Sequence, residues 1–562
     1  MIEERAAGGR PRAVFWLVLL TLFGVGAWLR LHAISGQIVA DDEIHSLAVA
    51  GRGSAWWIAT HFFRADVSTP LALLQLAIGR GPGLSEVTAR LPVLVAGGVA
   101  LVALPLLARR EAGSAVALAF LGLLAISPQL VFYSRFGRPY MASTLLVGLG
   151  FFACLRWWRS GSRGGSWAYV LCSALAGWFS LPALPAALTP LAVAGLLAAT
   201  GSRRAPRSGL RGVVHVGLAL AALLAVLLLP PALTSAAAIA DKVGAGPPGA
   251  TTLGNVLLLD AGTGHPVLAA IFWALVVLGA ILGTRRRPLL VALAVASILV
   301  EIAAIALVAP AWANLAPVAA RYASCVLPWV LLLQAFALAE PARRERSGGL
   351  VATGGAAWLA LLLALGPLPV SYGQTNNLTN HPAYEFRYRA PLPTSYPTIP
   401  RFYCLIGRDP ERFAIVETPW YTEWFSNFFA HYQHVHGKEI YVGFRRPPPP
   451  WDQQFAYWPF GPRYDFRRFV DLDDPDALSG LGVRYVVVHK DLRREMWNDR
   501  APYTGPRFDT DALRAELRER YHRWPAYEDG RLAAYRIDGK PQPPWNDPAC
   551  LPPELISGSR RP

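Results

Sequence analysis

The sequence predicts a polytopic α-helical membrane protein followed by a separate α/β domain, and three observations carry that prediction. Apolar runs such as 213–229 and 288–308 are long enough to cross a hydrocarbon core of about 30 Å. Arg clusters recur between those runs. The composition then changes from apolar in the first two-thirds to polar, aromatic and proline-rich in the last third. At 562 residues with 53% hydrophobic content, the chain is too long for a single core.

The net charge of +16 would point to nucleic acid in a soluble protein, but here the cations sit in short inter-helix clusters. That is the positive-inside pattern, so no nucleic-acid partner is expected. Four Lys stand against forty-nine Arg, a composition that suits a GC-rich bacterial genome. Arg5, Arg10 and Arg12 precede the first apolar run without a small-residue cleavage site, which reads as an uncleaved first helix.

About eleven transmembrane helices are expected, and the Arg clusters set their direction. With the N-terminus inside, helix one (about Val14–Ala33) exits and helix two (about Val87–Leu107) returns to Arg109 and Arg110. Helix three (about Ser114–Val131) exits at Tyr133, and helix four returns to Arg156, Arg159 and Arg163. A hairpin interrupted at Leu181-Pro182 ends at Arg203, Arg204, Arg207 and Arg211. Helices seven and eight bracket Asp241 and return to Arg285–Arg287; nine and ten lead to Arg343, Arg344 and Arg346; helix eleven (about Leu350–Val370) exits. The expected division is a transmembrane module over 1–371, with a first outer loop over 34–86, and an extracytoplasmic α/β domain over 372–562. Within the loop, Ser54–Phe63 suits a helix lying in the interface with Trp56 and Trp57 at headgroup level.

In the last third, Arg412–Val416, Val483–Val488, Arg531–Ile537 and Glu439–Phe444 read as strands, and Trp420–Gln433 and Asp509–Arg520 as helices. Trp451–Tyr464, after four prolines, reads as an irregular crossing loop. Cys154, Cys172 and Cys325 fall in apolar spans, whereas Cys404 and Cys550 lie where an oxidising compartment permits a disulfide. His431, His434 and His436 lack a fourth ligand at zinc spacing, and Asn377-Leu378-Thr379 fits a sequon of little meaning in a bacterium.

The chemistry-bearing stretch is Val39-Ala40-Asp41-Asp42-Glu43-Ile44-His45-Ser46, three carboxylates and an imidazole at a membrane exit. It resembles the Asp-Glu motif that opens the first outer loop of C-type (GT-C) membrane glycosyltransferases, in the superfamily of protein O-mannosyltransferases and lipid A aminoarabinose transferases. Asp66–Leu71, Arg90-Leu91-Pro92, Ser127-Pro128 through Tyr133–Tyr140, and Arg321-Tyr322 with Pro328 resemble further motifs of that superfamily, in order and on one side. The chain departs from the pattern at Ser68-Thr69, where the family usually has His-Pro.

The resemblance implies inverting transfer of a sugar from a polyprenyl-phosphate donor to an extracytoplasmic hydroxyl or phosphate acceptor at the inner (plasma) membrane. It implies Asp42 as base, Glu43 orienting it, Asp66 as a second acid, and Asp41 as the alternative base. The residues agree: crowded carboxylates at a membrane edge have raised pKa values, and guanidinium forks match phosphate oxygens. Arg138 and Arg321 are the first phosphate candidates and Arg135 the third; His45, Tyr140 and Tyr322 are possible substrate contacts. No cofactor is required, although Asp42, Glu43 and Asp66 offer hard oxygen ligands for Mg²⁺ or Mn²⁺. Partners are thus the lipid-linked donor, membrane lipid and an unidentified acceptor. A transporter or flippase of lipid-linked sugars is the alternative; it calls for polar residues mid-helix, of which Glu301 is the one acid, and for repeat symmetry, which is not visible.

Overall fold

The computed structural model describes residues 10–32, 34, 43–51, 54–62, 68–84, 87–240, 242–244, 246–311, 313–340, 348–368, 400–418, 432, 436–444, 466–490, 510–521, 524–542, 545 and 550. Asp41, Asp42, Asp66, Asn377, His431, His434 and the helix expected over 420–433 lie outside them.

The first part is helical throughout. Helix α1 (Arg10–Leu31) is followed by three short helices, α2 (Glu43–Ala50), α3 (Ala55–Thr60) and α4 (Thr69–Arg80). The helix expected over 54–63 is α3: the Ser54 hydroxyl accepts from the Trp57 N–H at its start, Ile58 is buried and Trp56 is exposed. A 3₁₀ turn, Thr88–Arg90, leads into α5 (Leu91–Ala112), then α6 (Ser114–Ile126), α7 (Pro128–Arg135), α8 (Tyr140–Ser160), α9 (Arg163–Phe179), α10 (Leu184–Ala199) and α11 (Gly209–Thr234). Two short helices, α12 (Ala236–Ala240) and α13 (Ala250–Ala261), precede α14 (Pro266–Arg286), α15 (Pro288–Val308), α16 (Ala316–Ala323), α17 (Leu327–Ala339) and α18 (Gly348–Leu365).

Among the described residues, seven helices are long and apolar enough to cross a membrane, or eight if the bent pair α6–α7 counts as one span. The chain is therefore multi-pass by length and composition. The expected total of about eleven is met as helix positions, not as helices that qualify alone. The apolar stretches of α1 and α18 (Phe15–Leu31 and Gly354–Leu365) are short, α9 has 17 residues, and helix three is not continuous. Pro128 has no N–H to donate to Leu124 and drives Ser127 into extended backbone, so α6 and α7 meet at 59°.

Close backbone approach holds the bundle. A Cβ on Gly279 of α14 would lie 1.8 Å from the Leu333 carbonyl of α17, so only glycine fits that crossing. Trp329 of α17 is fully buried, its ring 4.1 Å from that of Phe151 on α8.

The last part carries a six-stranded sheet: β1 (Ala414–Thr418), β2 (Glu439–Phe444), β3 (Phe466–Asp471), β4 (Val483–His489), β5 (Tyr527–Glu528) and β6 (Leu532–Arg536), in order β3-β2-β1-β4-β6-β5. The first four are parallel and the last two antiparallel. The hydrophobic runs of β1 and β4 become the two buried central strands, as expected of a parallel sheet. β3, whose Arg-rich sequence hides its period, and the two-residue β5 were not expected. Helices Pro475–Gly480 and Thr510–Tyr521 pack Leu478, Leu513 and Leu517 on Val416, Val486 and Val488.

On the opposite face of β1 and β4, helix Arg401–Arg408 sets Tyr403 over a buried polar group. Glu417 Oε2 accepts from Tyr403 Oη at 3.0 Å and pairs with His489 Nε2 at 2.9 Å, both residues being fully buried. Tyr403 stacks on Tyr432 at 4.3 Å and on His436 at 5.4 Å. Cys404 and Cys550 form a disulfide across 146 residues.

Two predictions concern this domain. Cutting a 146-residue loop removes about 2–5 kcal/mol in the chain-entropy account, so Cys404→Ser should make the sheet peptides cleavable at lower temperature in thermal proteolysis read by mass spectrometry. Burial, and then the Lys438 ammonium, push the His436 ring down to about 3, whereas in the unfolded chain it titrates near 6.5. The unfolded state thus binds the extra proton first, so the domain is most stable above about pH 6.5 and weakens as pH falls toward 3. His436→Gln should flatten that slope; an unchanged slope would assign it to other groups.

Candidate functional site

The acidic motif's described carboxylate, Glu43, opens α2 and is 1% exposed. Its Oε1 accepts from Arg90 Nε at 2.7 Å and its Oε2 from Arg90 Nη2 at 2.6 Å, the two-bond fork that suits guanidinium and carboxylate. Oε1 also accepts the Gly137 backbone N–H at 2.6 Å. Arg90 itself is fully buried. One carboxylate thereby joins the first outer loop, the entry to α5 and the Phe136–Pro139 turn. Ser46 adds a longer bond to the Gly137 carbonyl, 3.3 Å. A Cβ on Gly137 would lie 3.0 Å from Glu43 Oε1, which leaves little room for a larger residue. Both Glu43 oxygens are thus engaged by Arg90 or Gly137. Among the described residues no group of three metal-type side chains occurs, His436 included.

Next to Gly137 stand the expected phosphate ligands. The Arg138 guanidinium carbon lies 5.9 Å from the Tyr140 ring centroid, and that of Arg321 lies 5.7 Å from the same ring and 5.6 Å from that of Tyr322. Two cations from segments 183 residues apart thus approach one aromatic ring. Arg138 and Tyr140 are each 6% exposed and Arg321 is half-buried, so an anion held there would be partly shielded from water. Tyr322 donates its hydroxyl to the Ala311 carbonyl at 3.3 Å. His45 lies half-buried on α2.

Arg135 is not part of this convergence. Its Nη1 donates to the carbonyls of Leu29 (3.2 Å) and His32 (2.7 Å), where it caps the C-terminus of α1. One nitrogen of the Arg135 guanidinium is thus spent on the end of α1. Arg30 does similar work: Nη1 and Nη2 donate to Ala125 and Leu124 carbonyls at 3.1 Å, and Nε to Ser134. The Leu124 carbonyl is one that Pro128 cannot satisfy.

Three polar sites were not anticipated. The role of Arg90 is one, although an arginine at the start of a long apolar run, opposite the Arg109-Arg110 end, was a signal. Asp260, at the end of α13, accepts from Gln129 Nε2 at 2.7 Å, and burial pushes its carboxyl up to about 7. Glu301, the acid inside a span, is fully buried and accepts the Ala186 N–H of α10 at 3.0 Å, so it serves a helix N-terminus.

A scan against protein-family models finds no match to this sequence, and a search of curated proteins finds none either. Solved structures do match. The crystal structure of ArnT from Cupriavidus metallidurans in the apo state is 14% identical, with TM-score 0.58, over 94% of this chain and 98% of that one. ArnT bound to undecaprenyl phosphate matches at 15% identity and TM-score 0.55, over 95% and 99%. The chain has the ArnT fold. The resemblance carried by the loop motifs is thus met at the level of architecture. Near-complete coverage in both directions includes the helical part and the sheet.

Glu43→Gln should take a bidentate counter-charge from the buried Arg90 guanidinium. The expected loss is about 3–5 kcal/mol, read as a lower midpoint of thermal unfolding in detergent. Adding Arg90→Met should recover part of it. A midpoint equal to wild type for Glu43→Gln would show that the clasp carries no stability.

Proposed function

We propose that the chain is a polyprenyl-phosphate-sugar glycosyltransferase of the plasma membrane, acting on an extracytoplasmic envelope acceptor. The observation that carries this reading is the convergence of Arg138 and Arg321 on Tyr140 within the ArnT fold. ArnT has been solved with undecaprenyl phosphate bound, and a paired guanidinium site is what a lipid phosphate monoester requires. The disulfide and the Arg clusters support an outward-facing sheet domain.

In this mechanism Asp42 takes the proton of the acceptor hydroxyl, and the freed oxygen attacks C1 of the sugar from the face opposite the phosphate. The C1–oxygen bond to the phosphate breaks with inversion, and the electron pair leaves on the phosphate. Arg138 and Arg321 stabilise the charge that develops there. Asp41 is the alternative base, and Asp66 is a second acid able to hold the acceptor. Glu43 acts as a positioning residue: its carboxylate fixes Gly137 and so the backbone beside Arg138. His45 and Tyr322 flank the donor.

The test is release of undecaprenyl phosphate from lipid-phosphate sugars, with cell-envelope extract as acceptor source. Arg138→Ala and Arg321→Ala should each lower turnover about 10²–10³-fold, and Asp42→Asn should abolish it with donor binding retained. Unchanged turnover in Asp42→Asn would move the base to Asp41 or Asp66. Movement of the lipid-linked sugar across liposomes without release would replace the transferase by a transporter.

A further inference from the structure

The two cationic segments that meet at Tyr140 are bridged by a third element that the transfer reaction does not use. Helix α13 packs along α16, which carries Arg321, and against α14. Near its N-terminus the Thr252 hydroxyl donates to the Asn314 carbonyl at 2.7 Å, two residues before α16 begins. At its C-terminus Asp260 receives the Gln129 amide from the first turn of α7, which ends three residues before Arg138. Gly262 then ends α13 in the left-handed region (φ 70°), where a Cβ would stand 2.7 Å from Pro128 Cδ. The helix is thus tied at one end to the Arg321 segment and at the other to the Arg138 segment.

We infer that α13 is a strap that sets the spacing of the two arginines, and that Asp260, acting through Gln129, is a positioning residue for the anionic phosphate of the donor. The inference rests on reading Arg138 and Arg321 as phosphate ligands. Its chemistry is specific. Gln129 is fully buried, and its Oε1 has no hydrogen-bond partner while its Nε2 serves Asp260 Oδ1. A protonated carboxyl at 260 supplies the missing donor and closes a two-bond amide–acid pair; a carboxylate supplies only the acceptor. Burial, which pushes Asp260 up to about 7, favours the paired form near neutrality. An asparagine side chain makes the same two-bond pair, and alanine makes neither bond.

The experiment uses the full chain in detergent and undecaprenyl phosphate as the probe, with affinity measured by titration. Asp260→Ala should weaken binding about tenfold or more, since displacement of one ligand by an ångström is enough. Asp260→Asn should bind as wild type does. Thr252→Val, which releases the other end of the strap and removes a single hydroxyl, should weaken binding in the same direction and covers the case in which Asp260→Ala does not fold. Turnover at saturating donor should change far less than donor KM in both weakened variants. Wild-type affinity in Asp260→Ala and Thr252→Val overturns the strap, as does an Asp260→Asn variant as weak as Asp260→Ala. Failure of the wild type to bind, or binding that Arg138→Ala leaves intact, overturns the phosphate reading and the strap with it.

Discussion

The bidentate pair between Glu43 and Arg90 is the contact on which the rest of the site geometry depends. Two ions taken out of water cost several kcal/mol each, and their attraction offsets this only with good geometry and further hydrogen bonds. Here the geometry is a full fork, and the Gly137 N–H fills one remaining lone pair. The result is a fixed junction of three chain segments that have no sequence proximity. Hydrophobic packing alone tolerates sliding; a fork with both partners buried does not. The backbone beside Arg138 inherits that precision.

A second set of cations works on backbone rather than on ligands. Proline at 128 breaks a helix at membrane depth, where an unsatisfied carbonyl is expensive. Arg30 reaches across from α1 to the Leu124 and Ala125 carbonyls, and Arg135 reaches back to the end of α1. The two exchanges lock α1 to the α6–α7 bend. Arg138 stands near Tyr140, three residues beyond an arginine that serves the end of α1.

Much of this was legible in the sequence, and the exceptions have physical causes. Apolar length and Arg clusters gave the helix positions because both report directly on transfer between water and lipid. The central strands β1 and β4 were visible as β-branched runs. The helix break at Ser127-Pro128 lay in a quoted motif, yet its angle depends on Arg30, almost a hundred residues away. Arg135 and Arg138 are chemically equal and one turn apart, so only the tertiary neighbours separate a cap from a candidate ligand. Asp260 was silent because a lone acid in a short helix between longer apolar ones has no period and no partner in sequence. Asp41, Asp42 and Asp66 lie outside the described residues, so the acidic motif is read through Glu43.

The parallel order of the sheet bears on how its domain comes together. Strand β1 is paired on both sides, but its partner β4 is synthesised about 70 residues later, a long wait for a five-residue segment as apolar as Ala-Ile-Val. A half-paired hydrophobic strand is a template for association with other chains. The charge of Glu417 next to that run opposes such stacking while the strand is unpaired, in the manner of a gatekeeper. Once β4 arrives, it brings His489 to the carboxylate and the charge is absorbed into the interior. The same side chain that guards the nascent strand thus becomes, on completion of the sheet, a point at which two neighbouring strands recognise each other.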